Sequence, residues 1–230
     1  MRLLIVSDLH ANAVALERVS QDADAVVVLG DLVDYGPDPE AAIKWVREHA
    51  TYAVRGNHDD AVASNGHTFA RGSLAGVAEE TASWTRSRLS QADLDYLGSL
   101  PLTTSFSFGG ASFLAVHATP ADPLHPYILP DASEHWSTEL SLADAEWLLV
   151  GHTHLPFAAQ FGSKTVVNPG SVGQPRDGLP LASYAVWEDG DVSLVRRQYD
   201  IAAVVQQLDT TDLSADARRR LATVLRTGRR

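Results

Sequence analysis

Short apolar runs alternate with polar, helix-like segments in the first quarter of the chain. Leu3 to Val6, Ala25 to Leu29 and Thr51 to Val54 have the length and residue types of buried strands. The pattern predicts helices between them, one from Asn12 to about Gln21 and one opening at Pro39. This alternation predicts an α/β fold that begins with a βαβαβ unit, in which parallel strands are joined by right-handed crossovers.

The rest of the chain adds helices and then further strands. A mostly helical insertion is expected at about residues 60–100, and a C-terminal helix at about residues 214–226. Further strands and hairpins are predicted at residues 103–108, 112–116, 147–150, 157–161, 165–167 and 183–197. Because no shift in composition marks a boundary, we expect a single domain over residues 1–230.

Polar side chains of the metal-ligand type follow the apolar runs directly. Parallel strands open into a crevice at their carboxyl ends, so loops 7–12, 30–37 and 55–60 should meet at one sheet edge. The side chains at these exits and at those of later strands are Asp8, His10, Asp31, Asn57, His58, His117, His152 and His154. One strand-end histidine is usually an ordinary polar residue. Two pairs spaced i, i+2, with further ligand types at equivalent exits, indicate a shared site.

The composition restricts the chemistry of that site. The chain has no cysteine, so a metal would be held by nitrogen and oxygen ligands. Such ligands suit divalent transition ions, and we expect two of them, with manganese first and Fe, Zn, Co or Ni as alternatives. A carboxylate such as Asp31 can bridge two ions about 3.5–4 Å apart, which would clamp a phosphoryl group and activate a water.

Charge and hydropathy limit the partners. The formal net charge of −11 argues against general affinity for nucleic acid backbones. No apolar run reaches membrane-spanning length, and a strand pattern that starts at Leu3 leaves no room for a signal peptide. We therefore expect a cytoplasmic protein without a membrane partner.

Six arginines lie between Arg218 and Arg230. We interpret them as a solvated helix face with a frayed tail, the alternative being a contact with nucleic acid or a partner.

Five segments, taken in order, resemble the signature blocks of the calcineurin-like metallophosphoesterases, and the resemblance runs from residue 3 to about residue 200. The segments are Asp8-Leu9-His10, Gly30-Asp31-Leu32-Val33-Asp34, Gly56-Asn57-His58-Asp59, His117 and Gly151-His152-Thr153-His154. Each segment alone is a weak signal, whereas all five in the right order are a strong one. Asn168-Pro169-Gly170-Ser171-Val172-Gly173 further resembles the small bacterial and archaeal branch that contains YfcE-like phosphodiesterases and asymmetric dinucleoside tetraphosphate hydrolases.

The resemblance implies a four-layer αββα sandwich of two mixed sheets with outer helices. It implies that one metal is held by Asp8, His10, Asp31 and His154, and the other by Asp31, Asn57, His117 and His152. A metal-activated hydroxide would attack phosphorus in line. His58 would face the leaving-group oxygen, with Asp34 as its orienting partner and His67 or His125 as alternative acids.

The implied activity is hydrolysis of a small phosphodiester, nucleotide or dinucleoside polyphosphate, with diesters preferred over monoesters. Protein phosphatases of the superfamily have an arginine where this chain has Tyr35 and a glutamate where it has Asp59, and this difference disfavours phosphoprotein substrates. The alternatives are a non-catalytic scaffold or a phosphate-binding module on the same fold. A second phosphate could be bound by Arg55, Arg86, Arg88 or Arg176, and a base by Tyr35 or Trp84; ordinary surface or core roles are the alternative for each.

Overall fold

Ten strands and eight α-helices lie in the described residues, 1–20, 22–70 and 72–230, of the computed structural model. The strands are β1 (Arg2–Val6), β2 (Ala25–Val28), β3 (Tyr52–Ala53), β4 (Thr103–Phe108), β5 (Ala111–Val116), β6 (Trp147–Leu149), β7 (Phe157–Phe161), β8 (Lys164–Asn168), β9 (Ala182–Glu188) and β10 (Asp191–Arg197). The helices are α1 (Ala13–Leu16), α2 (Pro39–His49), α3 (Asn57–Ser64), α4 (Ala75–Arg88), α5 (Gln91–Ser99), α6 (Ser133–Leu142), α7 (Ile201–Asp209) and α8 (Ala215–Thr227), with a short 3-10 helix at Gly72–Leu74.

The strands form two mixed five-stranded sheets. The first has the order β10-β9-β1-β2-β3, and the second has the order β4-β5-β6-β8-β7. In the first sheet β1 pairs with β2, and β2 with β3, in parallel, which confirms the predicted βαβαβ unit. In the second sheet β5, β6 and β8 run parallel, while β4 and β7 are antiparallel at the edges.

The alternation of side chains along β1 shows how the layers arise. Leu4 and Val6 point into a core formed with the helices α1 to α5, α7 and α8. Leu3 and Ile5 point to the other face and pack between the two sheets, where Phe113 and Trp187 lie with ring centroids 5.3 Å apart. Helix α6 covers the far side of the second sheet through a third core. The structure therefore confirms the four-layer αββα sandwich.

Two local predictions differ from the structure, and one helix was not predicted. Helix α1 ends at Leu16, because the next hydrogen bonds, such as that from the Val19 amide to the Leu16 carbonyl, close tighter turns; Gln21 lies outside the described residues. The segment predicted as the loop 55–60 is helical from Asn57, since the Asp59 carboxylate accepts the amide of the N-cap residue, Gly56. Helix α7 was not predicted, although Asp200 caps its first turn by accepting from the Ala203 amide.

The C-terminal helix α8 packs one apolar face on the first core, with Leu221 and Leu225 buried and Arg219 and Arg220 exposed. Its solvated face is as predicted. Gly228 ends the helix in a left-handed conformation, and its carbonyl accepts the Gly178 amide at 2.8 Å. This bond connects the end of α8 to the segment at Gly178. None of the described helices is long and apolar enough to cross a membrane.

Candidate metal centre

The carboxyl ends of the parallel strands of both sheets meet at one edge of the sandwich. In the first sheet the loops after β1 and β2 are joined, because the His10 amide donates to the Asp31 carbonyl at 3.0 Å. The second sheet is joined to the first where His117, directly after β5, donates from Nδ1 to the Leu29 carbonyl at 2.7 Å. Polar side chains from both sheets are thereby collected in one place.

A first cluster combines Asp8, His10, Asp31 and His154, all buried, with ligand atoms within 4.8 Å of one another. Nε2 of His154 lies 3.1 Å from Oδ1 of Asp8 and 3.2 Å from Nε2 of His10. Nε2 of His10 lies 3.7 Å from Oδ2 of Asp31. The structure thus brings together four of the residues that the sequence indicates.

A second cluster shares Asp31 with the first and adds His117 and His152. Nε2 of His117 lies 3.3 Å from Oδ2 of Asp31 and 3.2 Å from Nδ1 of His152. Oδ1 of Asn57 lies 3.1 Å from the same His117 nitrogen, so this amide oxygen also faces the cluster. All seven predicted ligands therefore converge, and the Asp31 carboxylate stands between the two groups.

The donor set fits divalent cations. Nδ1 of His10, His117 and His154 each pairs with a backbone carbonyl, that of Val33, Leu29 or Gln174, which directs the three Nε2 lone pairs into the clusters. Oδ1 of Asp8 is buried and accepts no hydrogen bond from the described residues. Imidazole nitrogens that face one another beside such a carboxylate oxygen are a donor set that a divalent cation would satisfy.

Burial controls the charge of these groups. It lowers the pKa of His10 and His154 well below the ordinary value, and burial with the His117 charge lowers the pKa of His152 to about 3. Neutral imidazole is the form that binds metal. Burial also opposes charge on His117, but the Asp31 carboxylate outweighs it and raises the pKa of His117 to about 9. The buried Asp31 charge therefore attracts positive charge to this position, and a bound cation would supply it in place of the proton.

His58 contacts the centre without joining either cluster. Its amide donates to Oδ1 of Asp31 at 3.0 Å, and its Nδ1 pairs with Oδ2 of the buried Asp34 at 2.5 Å. Burial opposes the imidazolium, but the Asp31 charge and the Asp34 hydrogen bond outweigh it and raise the pKa of His58. The ring lies at the wall of a cavity of about 230 Å³ that opens onto both clusters.

Two residues that sequence reasoning missed hold Asn57 in place. The Asn57 amide nitrogen donates to the Thr68 carbonyl at 2.8 Å, which turns its oxygen toward His117. Thr68 is buried, and its amide and hydroxyl both donate to Oε1 of Glu79, at 3.0 and 2.8 Å. No local sequence signal links these positions, because the hydrogen bonds run from Asn57 in α3 through Thr68, between the helices, to Glu79 in α4.

Asp59 is a further buried carboxylate, and its function is structural. It accepts the amides of Leu32 at 2.8 Å, Val33 at 3.2 Å and Gly56 at 3.0 Å. These bonds tie the loop after β2 to the first turn of α3, and so fix Asp31 relative to Asn57. The spacing of Gly56 and Asp59, three residues apart, was the available sequence signal.

The Asn168 to Gly173 segment anchors the loops from the other side. Asn168 donates to the Gly151 carbonyl at 2.6 Å, next to His152. The Ser171 hydroxyl and the Gly173 amide both donate to the Asp8 carbonyl, at 2.7 and 3.0 Å. This motif therefore positions the loops that carry Asp8 and His152, two of the candidate ligands.

The other residues considered for substrate binding fall into two groups, those that line the cavity and those that do not. Tyr35, Arg176 and His125 line the cavity. The guanidinium groups of Arg55 and Arg86 donate to backbone carbonyls, and Arg88 and Trp84 line a different surface depression. His67 is exposed, pairs with Glu79 and does not line the cavity. Arg230, which sequence reasoning assigned to a solvated tail, lines the cavity.

Comparison with known proteins places this geometry in a family context. Residues 1–190 match the model of the calcineurin-like phosphoesterase superfamily domain. The chain is 30% identical over 229 residues to an uncharacterized protein of Methanocaldococcus jannaschii, covering 90% of this chain and 91% of that one. It is 29% identical over 210 residues to the phosphodiesterase YfcE of Escherichia coli, covering 85% and 91%.

A crystal structure of a metallophosphoesterase from Sphaerobacter thermophilus is similar throughout. It superimposes with a TM-score of 0.83 at 34% identity and covers 99% of each chain. A hypothetical protein from Pyrococcus horikoshii has the same TM-score of 0.83 at 20% identity, covering 96% and 97%, which shows a shared fold.

The network around Asp59 leads to a stability prediction. Asp59→Asn should lower the free energy of unfolding by about 1–3 kcal/mol, because an amide cannot accept on both sides and leaves a buried backbone N–H unpaired. Asp60→Asn is the matched control, since Oδ1 of Asp60 makes only a partly exposed ion pair with Arg55 at 3.3 Å. It should cost less than about 1 kcal/mol. Urea unfolding of both variants checks this, and equal losses would contradict the role given to Asp59.

Proposed function

This chain belongs to the calcineurin-like phosphoesterase superfamily, and on that basis we propose that it is a dinuclear metal-dependent phosphoesterase that hydrolyses a small phosphodiester, nucleotide or dinucleoside polyphosphate. The observation that carries the proposal is the pair of ligand clusters that share the Asp31 carboxylate. One cluster alone would serve a single-ion site, whereas a shared carboxylate is the arrangement used to hold two ions together.

In this proposal the first ion is held by Asp8, His10, Asp31 and His154, and the second by Asp31, Asn57, His117 and His152. Nitrogen and oxygen donors suit several divalent transition ions; manganese is the expected one, with Fe, Zn, Co or Ni as alternatives. When bound, the ions supply positive charge to the phosphoryl oxygens and lower the pKa of a water molecule.

His58 is assigned to the leaving group. Asp34 holds its Nδ1, so Nε2 is the nitrogen free to face the substrate in the cavity. The raised pKa of His58 extends the protonated form of the ring to higher pH, which suits a group that stabilises or protonates the departing oxygen.

The presence of both ligand clusters and of the His58–Asp34 pair argues against a scaffold or a simple phosphate-binding module on the same fold. Such a protein has no need of both ligand sets or of the buried His58–Asp34 pair. A turnover assay with manganese separates these alternatives from the enzyme.

Metal analysis tests the dinuclear site. Protein purified without chelator should contain more than one equivalent of transition metal, and Asp31→Asn should lower occupancy at both sites because it removes the shared negative charge. Asp95→Asn, an exposed position on α5, is the control and should leave metal content unchanged. Elemental analysis that finds at most one ion in fully loaded wild-type protein would refute the dinuclear site.

Kinetics of His58→Ala test the assigned acid. The variant should lose about 10²–10⁴ in kcat, the usual contribution of general acid catalysis, and keep wild-type metal content. The loss should be smaller for a nitrophenolate leaving group than for a ribose alkoxide, because nitrophenolate needs little protonation. His135→Ala, exposed on α6, is the control.

The Asp34→Asn variant adds a pH test. The Asp34 carboxylate helps to raise the pKa of His58, so the imidazolium persists to higher pH and is lost as pH rises through that pKa. Removing the carboxylate should shift the alkaline limb of the kcat profile to lower pH.

Two outcomes with His58→Ala would contradict the assigned acid. Loss of one metal equivalent would make His58 a ligand. Full activity would move the role to His125, which also lines the cavity.

Substrate preference is tested with a panel of nucleotides, cyclic nucleotides, dinucleoside polyphosphates, a nitrophenyl diester and nitrophenyl phosphate, assayed with manganese. A cavity of about 230 Å³ is below the roughly 300–1,000 Å³ of sites that enclose whole ligands, so part of the substrate remains outside. Diesters or anhydrides should therefore be hydrolysed faster than the monoester. A kcat/KM at least tenfold higher for nitrophenyl phosphate than for every diester and dinucleotide would reverse this preference.

A further inference from the structure

Two arginines line the cavity beside the metal-ligand clusters, Arg176 and Arg230. Neither forms an ion pair with a carboxylate of the residues that the structure describes. Unpaired guanidinium groups at a cavity wall are suited to an anionic ligand, and their planar donors match phosphate oxygens.

Arg176 is held beside the first cluster. Its Nε and Nη2 donate to Oε1 of Gln174 at 3.1 and 2.6 Å, and its guanidinium carbon lies 5.9 Å from the centre of the Tyr35 ring. The backbone carbonyl of Gln174 pairs with Nδ1 of His154. Arg176 is thus oriented by the same residue that orients a candidate metal ligand, and its Nη1 makes no hydrogen bond to the described residues.

Arg230 lies beside the second cluster. Its guanidinium carbon is 5.0 Å from the centre of the Tyr127 ring. That ring is 5.6 Å from His152, and its hydroxyl donates to the Thr153 carbonyl at 2.8 Å. The Tyr127 ring therefore lies in contact range of both Arg230 and His152.

The segments that carry the two arginines are joined to each other. The Gly178 amide donates to the Gly228 carbonyl at 2.8 Å. Gly228 has a φ of 63°, and a Cβ there would lie 2.6 Å from the amide nitrogen of Leu179. This contact fixes the approach of the C-terminal segment to the cavity and gives a second way to displace Arg230.

Phe69 adds an aromatic surface at the same cavity. Its side chain is 65% exposed, its φ is 55°, and its ring meets the His125 ring edge-on at 4.9 Å. A bulky residue in the left-handed region is uncommon, and such outliers concentrate at ligand sites. The preceding residue, Thr68, is bonded to Asn57, so the position of Phe69 is tied to the metal centre.

We propose that this part of the cavity is a subsite for a nucleoside polyphosphate. Arg176 and Arg230 bind a phosphate next to the reacting one, and Phe69 stacks on the base. The assignment rests on the proposed function for the reacting phosphate, and it goes further by requiring at least two linked phosphates and an aromatic base in one ligand.

Equilibrium binding tests the subsite without turnover. The probes are AMP, the non-hydrolysable α,β-methylene analogue of ADP, and methylenebisphosphonate, titrated into metal-loaded protein by calorimetry. Wild-type protein should bind the ADP analogue at least tenfold more tightly than AMP. Arg230→Ala should weaken the ADP analogue and the bisphosphonate about tenfold, equivalent to about 1.4 kcal/mol, and change AMP less than threefold.

Matched variants separate the two halves of the ligand. Phe69→Ala should weaken the ADP analogue about fivefold or more and leave the bisphosphonate unchanged, because the bisphosphonate carries no base. Gly228→Ala should reproduce Arg230→Ala. Arg226→Ala removes the same charge near the end of α8 without lining the cavity, and it should have no effect.

Any one of three results would overturn the subsite. The first is an equal effect of Arg230→Ala and Arg226→Ala, and the second is equal weakening of AMP and the ADP analogue by Arg230→Ala. The third is wild-type protein that binds both nucleotides equally. Failure of the proposed function has a different signature. In that case no ester or anhydride in the substrate panel is hydrolysed, and the binding differences among these variants remain.

Discussion

The centre depends on one buried carboxylate that two groups of ligands share. Oδ2 of Asp31 lies between His10 and His117, and Oδ1 accepts the amide of His58. A carboxylate in this setting costs several kcal/mol to desolvate unless positive charge and hydrogen bonds surround it. Three loops must therefore approach one side chain closely, which explains Gly56: a Cβ there would lie 2.1 Å from Oδ1 of Asp31.

This approach is possible only with an unusual backbone at the strand ends. Left-handed φ angles occur at six of the predicted site residues: Asp8 (53°), His10 (44°), Asp31 (53°), Asp34 (72°), His152 (64°) and His154 (59°). Each such residue costs on the order of 1–3 kcal/mol and persists only where its surroundings hold it. Here the surroundings are bonds between loops, such as that from the Asp8 amide to the Gly30 carbonyl at 3.0 Å, and the packed sheets beneath them.

The sequence predicted what local pattern encodes. Apolar runs predicted the strands, and the polar residues after them predicted which side chains meet at the candidate centre, because parallel strands deliver their exits to one edge. It did not predict contacts between distant segments. Glu79 orients Asn57 through Thr68, and Arg230 reaches the cavity from the last helix; neither depends on a residue nearby in the chain. The start of helix α3 at Asn57 was not predicted, although Asp59, three residues after the N-cap residue Gly56, was a local capping signal for it.

The charge of the cavity also departs from that of the whole chain. A net charge of −11 disfavours polyanions at long range, yet screening limits that effect to about 8–10 Å at physiological salt. Within the cavity the local groups decide. Two divalent ions would bring four positive charges against the carboxylates of Asp8 and Asp31, and Arg176 and Arg230 add two more without carboxylate partners among the described residues. With both ions bound, an acidic protein would therefore present a locally cationic site.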